Sequence, residues 1–119
     1  MGSQERRIYP RIHDEGLAVK LKAGDYDTIT HTMNISASGV YCKVSNDIPL
    51  MSRVKVMLMI PELTKDGTAI RDIEVTGVVV RQHPVIIDGQ TKHYDLAIFF
   101  EDLSPKNREI IANYISQKK

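Results

Sequence analysis

Asn34-Ile35-Ser36-Ala37-Ser38-Gly39 lies between two stretches of alternating polarity, Tyr26 to Met33 and Val40 to Val44. A period of two marks half-buried strands, so the polar residues between them read as a turn. Working outward, the same alternation returns in Leu17 to Leu21, in Val54 to Ile60, in a long β-rich run from Ile70 to Gln82, and in His93 to Phe100. That predicts six strands. The separators are Ala23-Gly24-Asp25, Ser36 to Gly39, Ser45 to Pro49, Pro61 to Thr68, and Pro84 to Thr91 with its Asp88-Gly89 turn signal. Such short connections imply antiparallel neighbours, and Gly77 inside the long run marks an expected bulge.

Ser104-Pro105 offers a helix cap followed by a favoured first helical residue, and Ile110, Ile111, Tyr114 and Ile115 fall on one helical stripe. The expected fold is therefore all-β with a C-terminal helix. Six short strands with open edges invite aggregation, so closure into a six-stranded antiparallel β-barrel, with the helix over one opening, is the economical architecture.

Composition narrows the function. At 119 residues, 42% hydrophobic and 26% charged, the chain reads as one soluble domain, and 16 Lys+Arg against 15 Asp+Glu leaves a formal net charge of +1. That balance gives no bulk attraction to nucleic acid or membrane, so any basic chemistry must be local. No apolar run of about 18 residues is present and the first residues lack a signal-peptide core, so we expect a cytoplasmic protein without membrane insertion. The single Cys42 excludes an internal disulfide and fits a reducing compartment.

The polar, aperiodic residues 1–14 read as a flexible N-terminal arm, with 15–119 as one barrel domain. Arg6, Arg7 and Arg11 crowd into that arm, and Pro10 biases Tyr9 toward an extended backbone. Extended spacing puts Arg7 and Arg11 about 13 Å apart, too wide for one carboxylate but suited to two ends of a larger anion. A guanidinium donates paired hydrogen bonds to phosphate or to guanine O6 and N7. Alone, such a cluster reads more readily as a solvated basic arm. In the turn, Asn34 and Ser36 share one side of an extended chain and can pair with a purine edge. Gly39 there permits a positive φ or a close approach to a ligand, although Asn, Ser and Gly also favour turns for conformational reasons alone.

Together, Arg7-Ile8-Tyr9-Pro10-Arg11 and Asn34-Ile35-Ser36-Ala37-Ser38-Gly39 resemble the two motifs of the PilZ domain family, Arg-x-x-x-Arg and Asp/Asn-x-Ser-x-x-Gly. The resemblance spans nearly the whole chain. It implies a six-stranded barrel with a C-terminal helix and, as ligand, the bacterial second messenger cyclic di-GMP. Carried over by position, Arg7 and Arg11 would grip guanine edges and phosphates, Asn34 and Ser36 would contact a guanine, and Gly39 would permit close approach. Arg6, just before the motif, is compatible with an intercalated ligand pair, and Arg81 is a further candidate contact. Two residues depart from the pattern. Ala97 stands where the family often has glycine, and Asn34 is the amide form of its position, without two carboxylate oxygens to offer guanine.

Other chemistries find less support. His13, His31, His83 and His93 show no metal-ligand spacing, Ser36 and Ser38 lack a nucleophile motif, and Cys42 alternates with Val40 and Val44 like a buried hydrophobe. We therefore expect no enzyme, no metal and no cofactor. The absence of Trp and the two Phe make a single-strand nucleic-acid platform a distant alternative. The expectation is a cyclic di-GMP receptor or adaptor whose arm and surface change on binding and which signals in trans to an unidentified effector protein. The alternative is a PilZ-like interaction module that binds no nucleotide.

Overall fold

The computed structural model describes residues 12–13 and 17–118. The order is β1 (Ile12–His13), β2 (Ala18–Ala23), β3 (Tyr26–Ser36), β4 (Gly39–Val44), β5 (Arg53–Thr64), β6 (Gly67–Ile87), β7 (Gln90–Phe100) and α1 (Pro105–Lys118). Strands β3, β2, β5, β6, β7 and β4 are neighbours in that order, and β4 pairs back onto β3. Six antiparallel strands thus close a ring, as the alternation predicts. Closure leaves the interior to one set of alternating residues, among them Val19, Leu21, Ile35, Val40, Leu58, Ile73, Leu96 and Ile98, all at most 2% exposed. Each such side chain contributes about 1.5–3 kcal/mol of burial.

The helix starts where its cap requires. Ser104 Oγ accepts a hydrogen bond from Asn107 N at 3.1 Å, satisfying an amide that has no partner within the helix. Ile111, Tyr114 and Ile115 then join the barrel core. No helix among the described residues is long and apolar enough to cross a membrane.

Three expectations need correction. Pro61 and Pro84 do not end their strands: Pro61 pairs with Ile70 and Pro84 with Tyr94, so β5–β6 and β6–β7 extend as long hairpins. Each proline lies where its strand has outrun its other neighbour, since β2 meets β5 only over Lys55–Met59 and β5 meets β6 only as far as Val78. A missing N–H is tolerated at such an edge. The Asp88-Gly89 signal does mark the second hairpin turn, with φ of 54° and 75°.

Gly77 is not the bulge. The register shifts of β6 against β7 fall between Val79 and Arg81, around exposed Val80, and between Val85 and Ile86. A Cβ at Gly77 would come within 2.4 Å of Ile98 Cγ2, so this glycine serves packing against β7. Finally, two residues of the expected arm form β1, pairing Ile12 with Ile35 and His13 with Asn34.

Candidate ligand-binding site

The motif turn is tighter than its sequence suggests. Ser36 pairs with Gly39, leaving only Ala37 and Ser38 in the turn. Ser36 is 1% exposed, and its Oγ accepts a hydrogen bond from Ser38 N at 3.2 Å while lying 3.0 Å from Ser38 Oγ. This hydroxyl therefore shapes the turn as well as being a candidate contact. Two further bonds clamp the loop: Arg108 Nη1 of α1 donates to Ala37 O at 3.1 Å, and Phe100 N donates to Ser38 O at 2.9 Å.

Gly39 has a different reason to be glycine from the one expected. Its φ is not among the positive values. Instead, a Cβ there would meet Ile98 O at 2.3 Å, so the close approach is between β4 and β7. That contact brings the turn flush against the wall of the barrel.

Cross-strand register gathers the remaining candidates. Arg81 pairs with Ala97, Ala97 with Tyr41, Tyr41 with Asn34, and Asn34 with His13. Directly opposed residues project to the same side, so Asn34, Tyr41, Ala97 and Arg81 share one outer row across four strands. Burial confirms the facing: in the adjacent row, Ile35, Val40, Ile98 and Val79 are each at most 2% exposed. Asn34 and Arg81, 47 residues apart in sequence, thus stand on one wall. Arg6, Arg7 and Arg11 lie outside the described residues. Arg11 immediately precedes Ile12 in the chain, and Ile12 pairs beside this wall with Ile35.

A second outer row follows, with Lys43 opposite Asp95 and Asp95 opposite His83. Asp95 Oδ1 meets His93 Nε2 at 3.1 Å. The wall therefore carries basic side chains at Lys43 and Arg81 together with the carboxylate of Asp95, which lies beside His93. Among the described residues no group of three His, Cys, Asp or Glu side chains is placed to hold a metal. Cys42 is buried, and that burial, with a lesser contribution from the charge of Asp95, pushes its thiol up to about 12. It is thus a packing residue, as the alternation implies.

A separate cleft lies away from this wall. A cavity of about 180 Å³ opens between β2 and β5, lined by Lys20, Lys22, Lys55 and Glu74 among others, and includes none of the motif residues. Sequence reasoning missed Arg108, Tyr41 and Phe99. Alternation alone places Tyr41 and Phe99 outward, whereas nothing local to Arg108 indicates a bond to a turn 71 residues away.

Comparison with known proteins agrees with this fold. The family model described as PilZ domain matches residues 5–117. The structure superposes on that of the Bacillus subtilis inhibitor of motility (MotI/DgrA) with a TM-score of 0.77 at 19% identity, covering 95% of this chain and 51% of that one. K. pneumonia MrkH in complex with c-di-GMP gives 0.70 at 15% identity, with coverage of 95% and 51%. The PilZ domain of Escherichia coli YcgR with c-di-GMP gives 0.64 at 14% identity, with coverage of 95% and 92%. The chain therefore spans about half the length of the first two. No curated protein is similar enough in sequence to count as a relative.

Proposed function

Because this chain belongs to the PilZ domain family, we propose that it is a receptor for cyclic di-GMP that carries no chemistry of its own and passes the bound state to an effector protein. The observation that carries the reading is the outer row, which unites Asn34 and Arg81 on one wall beside the strand that directly follows the Arg-x-x-x-Arg segment. Cyclic di-GMP has two guanines and two phosphates, so it demands donors for phosphate and for base edges on one surface. Arg7 and Arg11 supply charge-assisted forks for both. Asn34 offers an amide that pairs with a base edge without repelling phosphate. Arg81 adds a cation at the far end of the row, and Arg6 adds charge for a second stacked ligand. Two of the structural neighbours were solved with this ligand, which supports the same assignment here.

Binding would act through the arm. It contains few apolar residues, only Ile8, Tyr9 and Ile12 between Arg6 and His13. A dianionic ligand bridging arm and wall then offers the attraction that apolar packing does not, giving the effector a surface that exists only in the bound state. Calorimetric titration of the purified chain with cyclic di-GMP tests the proposal. Saturable heat is expected, with no comparable response to GMP at the same concentration. A flat titration would refute the receptor function.

A further inference from the structure

Beside the motif turn, the β4–β7 ladder alternates ring and gap. Gly39 stands opposite Phe99, and Tyr41 stands opposite Ala97. The two aromatic residues are thus diagonal neighbours on the outer face, and diagonal positions of an antiparallel pair lie about 7–8 Å apart. That spacing is about twice the 3.5–4.0 Å separation of carbon atoms in contact, so one flat ring system fits between two others. The gap between the rings is at Ala97, which carries only a methyl group; Gly39 is buried, and the place a Cβ would take there is already filled by Ile98 O at 2.3 Å.

Phe99 supplies the second observation. Phe99 is 50% exposed, although its chain neighbours Ile98 and Phe100 are buried at 2% and 4%. Tyr41 is half-buried in the same row as Asn34 and Arg81. An apolar ring facing water, next to a side-chain gap and bordered by an amide and a guanidinium, suits a planar, polar-edged ligand.

We propose that Tyr41 and Phe99 form a stacking slot for one purine ring of the ligand, with Asn34 and Arg81 at its rim. This rests on the cyclic di-GMP reading and adds to it an aromatic source of affinity for a base face, beside any stacking by the arm arginines. Stacking is tolerant of base identity because every base has a π-face, so the slot contributes affinity while Asn34 reads the edge.

Calorimetry and proton NMR on the full chain with cyclic di-GMP test the slot. Phe99→Ala and Tyr41→Ala should each weaken binding about fivefold or more. Phe99→Leu, which keeps apolar bulk without a ring, should lose as much, whereas Phe99→Tyr and Tyr41→Phe should stay within about twofold. The ring protons of Tyr41 and Phe99 should shift upfield with ligand. Lys55→Ala, on the opposite wall, is the unaffected control, and amide spectra of each variant confirm folding. If the wild type binds and both alanine variants bind within twofold of it, the slot is wrong and the receptor reading stands. If the wild type does not bind, both are overturned.

Discussion

Gly39 runs so close beneath β7 that a Cβ would sit 2.3 Å from the carbonyl oxygen of Ile98. The obstacle is backbone, which cannot rotate aside, so Gly39→Ala must push β4 from β7. Overpacking of this kind costs about 1–3 kcal/mol. Urea unfolding of the variant should show that loss, together with weaker ligand binding because the motif wall is reshaped. Wild-type stability in Gly39→Ala would contradict the close approach.

Cys42 provides a pH test. Burial raises its thiol from an ordinary value near 9 to about 12 in the folded protein. The unfolded chain therefore releases this proton first, and the stability due to the protonated thiol is full below about pH 9 and lost as pH rises toward 12. Between pH 8 and 10, unfolding free energy should fall more steeply for the wild type than for Cys42→Ala, by at most about 1.4 kcal/mol per pH unit. A thiol reagent should label Cys42 only when urea unfolds the chain. Equal pH slopes, or fast labelling of the native protein, would place the thiol outside the core.

Much of the ring was legible because burial imposes a period of two: Val40 to Val44 shows that period in its residues, and Val54 to Ile60 keeps it in burial even though Met57 and Met59 are apolar. Prolines misled. Pro61 and Pro84 end a strand only if both edges are paired, and pairing at a given residue depends on how long the neighbouring strand is. Gly77 misled in the same way, since close packing and a bulge both select glycine and sequence does not separate them. The site divides similarly. Asn34, Ser36 and Gly39 were readable because their spacing is local, but the register joining Asn34 through Tyr41 and Ala97 to Arg81 arises only when four strands align.

Arg108 links the helix to the site. Its Nη1 donates to Ala37 O at 3.1 Å in the motif turn, and a net hydrogen bond of this charge-assisted type is worth about 1.5–3 kcal/mol before solvent exposure reduces it. Arg108→Ala should raise amide exchange at Ser38 and Gly39 while leaving the far hairpin at Asp88-Gly89 unchanged. Arg108→Lys should restore little, because the reach and fork geometry differ. No change in exchange at the turn would show that the other clamp, Phe100 N to Ser38 O, suffices alone.

On the proposed function, the arm arginines should set the affinity hierarchy. A bidentate Arg–guanine pair gives about 1–3 kcal/mol of discrimination, and about 1.4 kcal/mol is tenfold, so Arg7→Ala or Arg11→Ala should weaken cyclic di-GMP about tenfold or more. Wild-type affinity in both would remove them from the site. Arg6→Ala should chiefly lower the number of ligand molecules bound. A calorimetric stoichiometry near one in both proteins would dispose of the intercalated pair.

The switch itself is testable by amide hydrogen exchange with and without cyclic di-GMP. The described part of the arm is β1, two residues long and paired with Ile35 and Asn34, which puts the Arg-x-x-x-Arg segment next in the chain to the motif strand. On the proposed function, a ligand held by both arm and wall adds charge-assisted bonds between them, and the linkage should raise the melting temperature with ligand concentration. Residues 6–13 and 34–39 should therefore gain protection together. The helix over residues 104–117, whose cap and core contacts are complete without ligand, should change less. Tight binding with unchanged exchange in residues 6–13 would mean that the arm is not the switch, and an effector would then have to read the nucleotide or another part of the barrel.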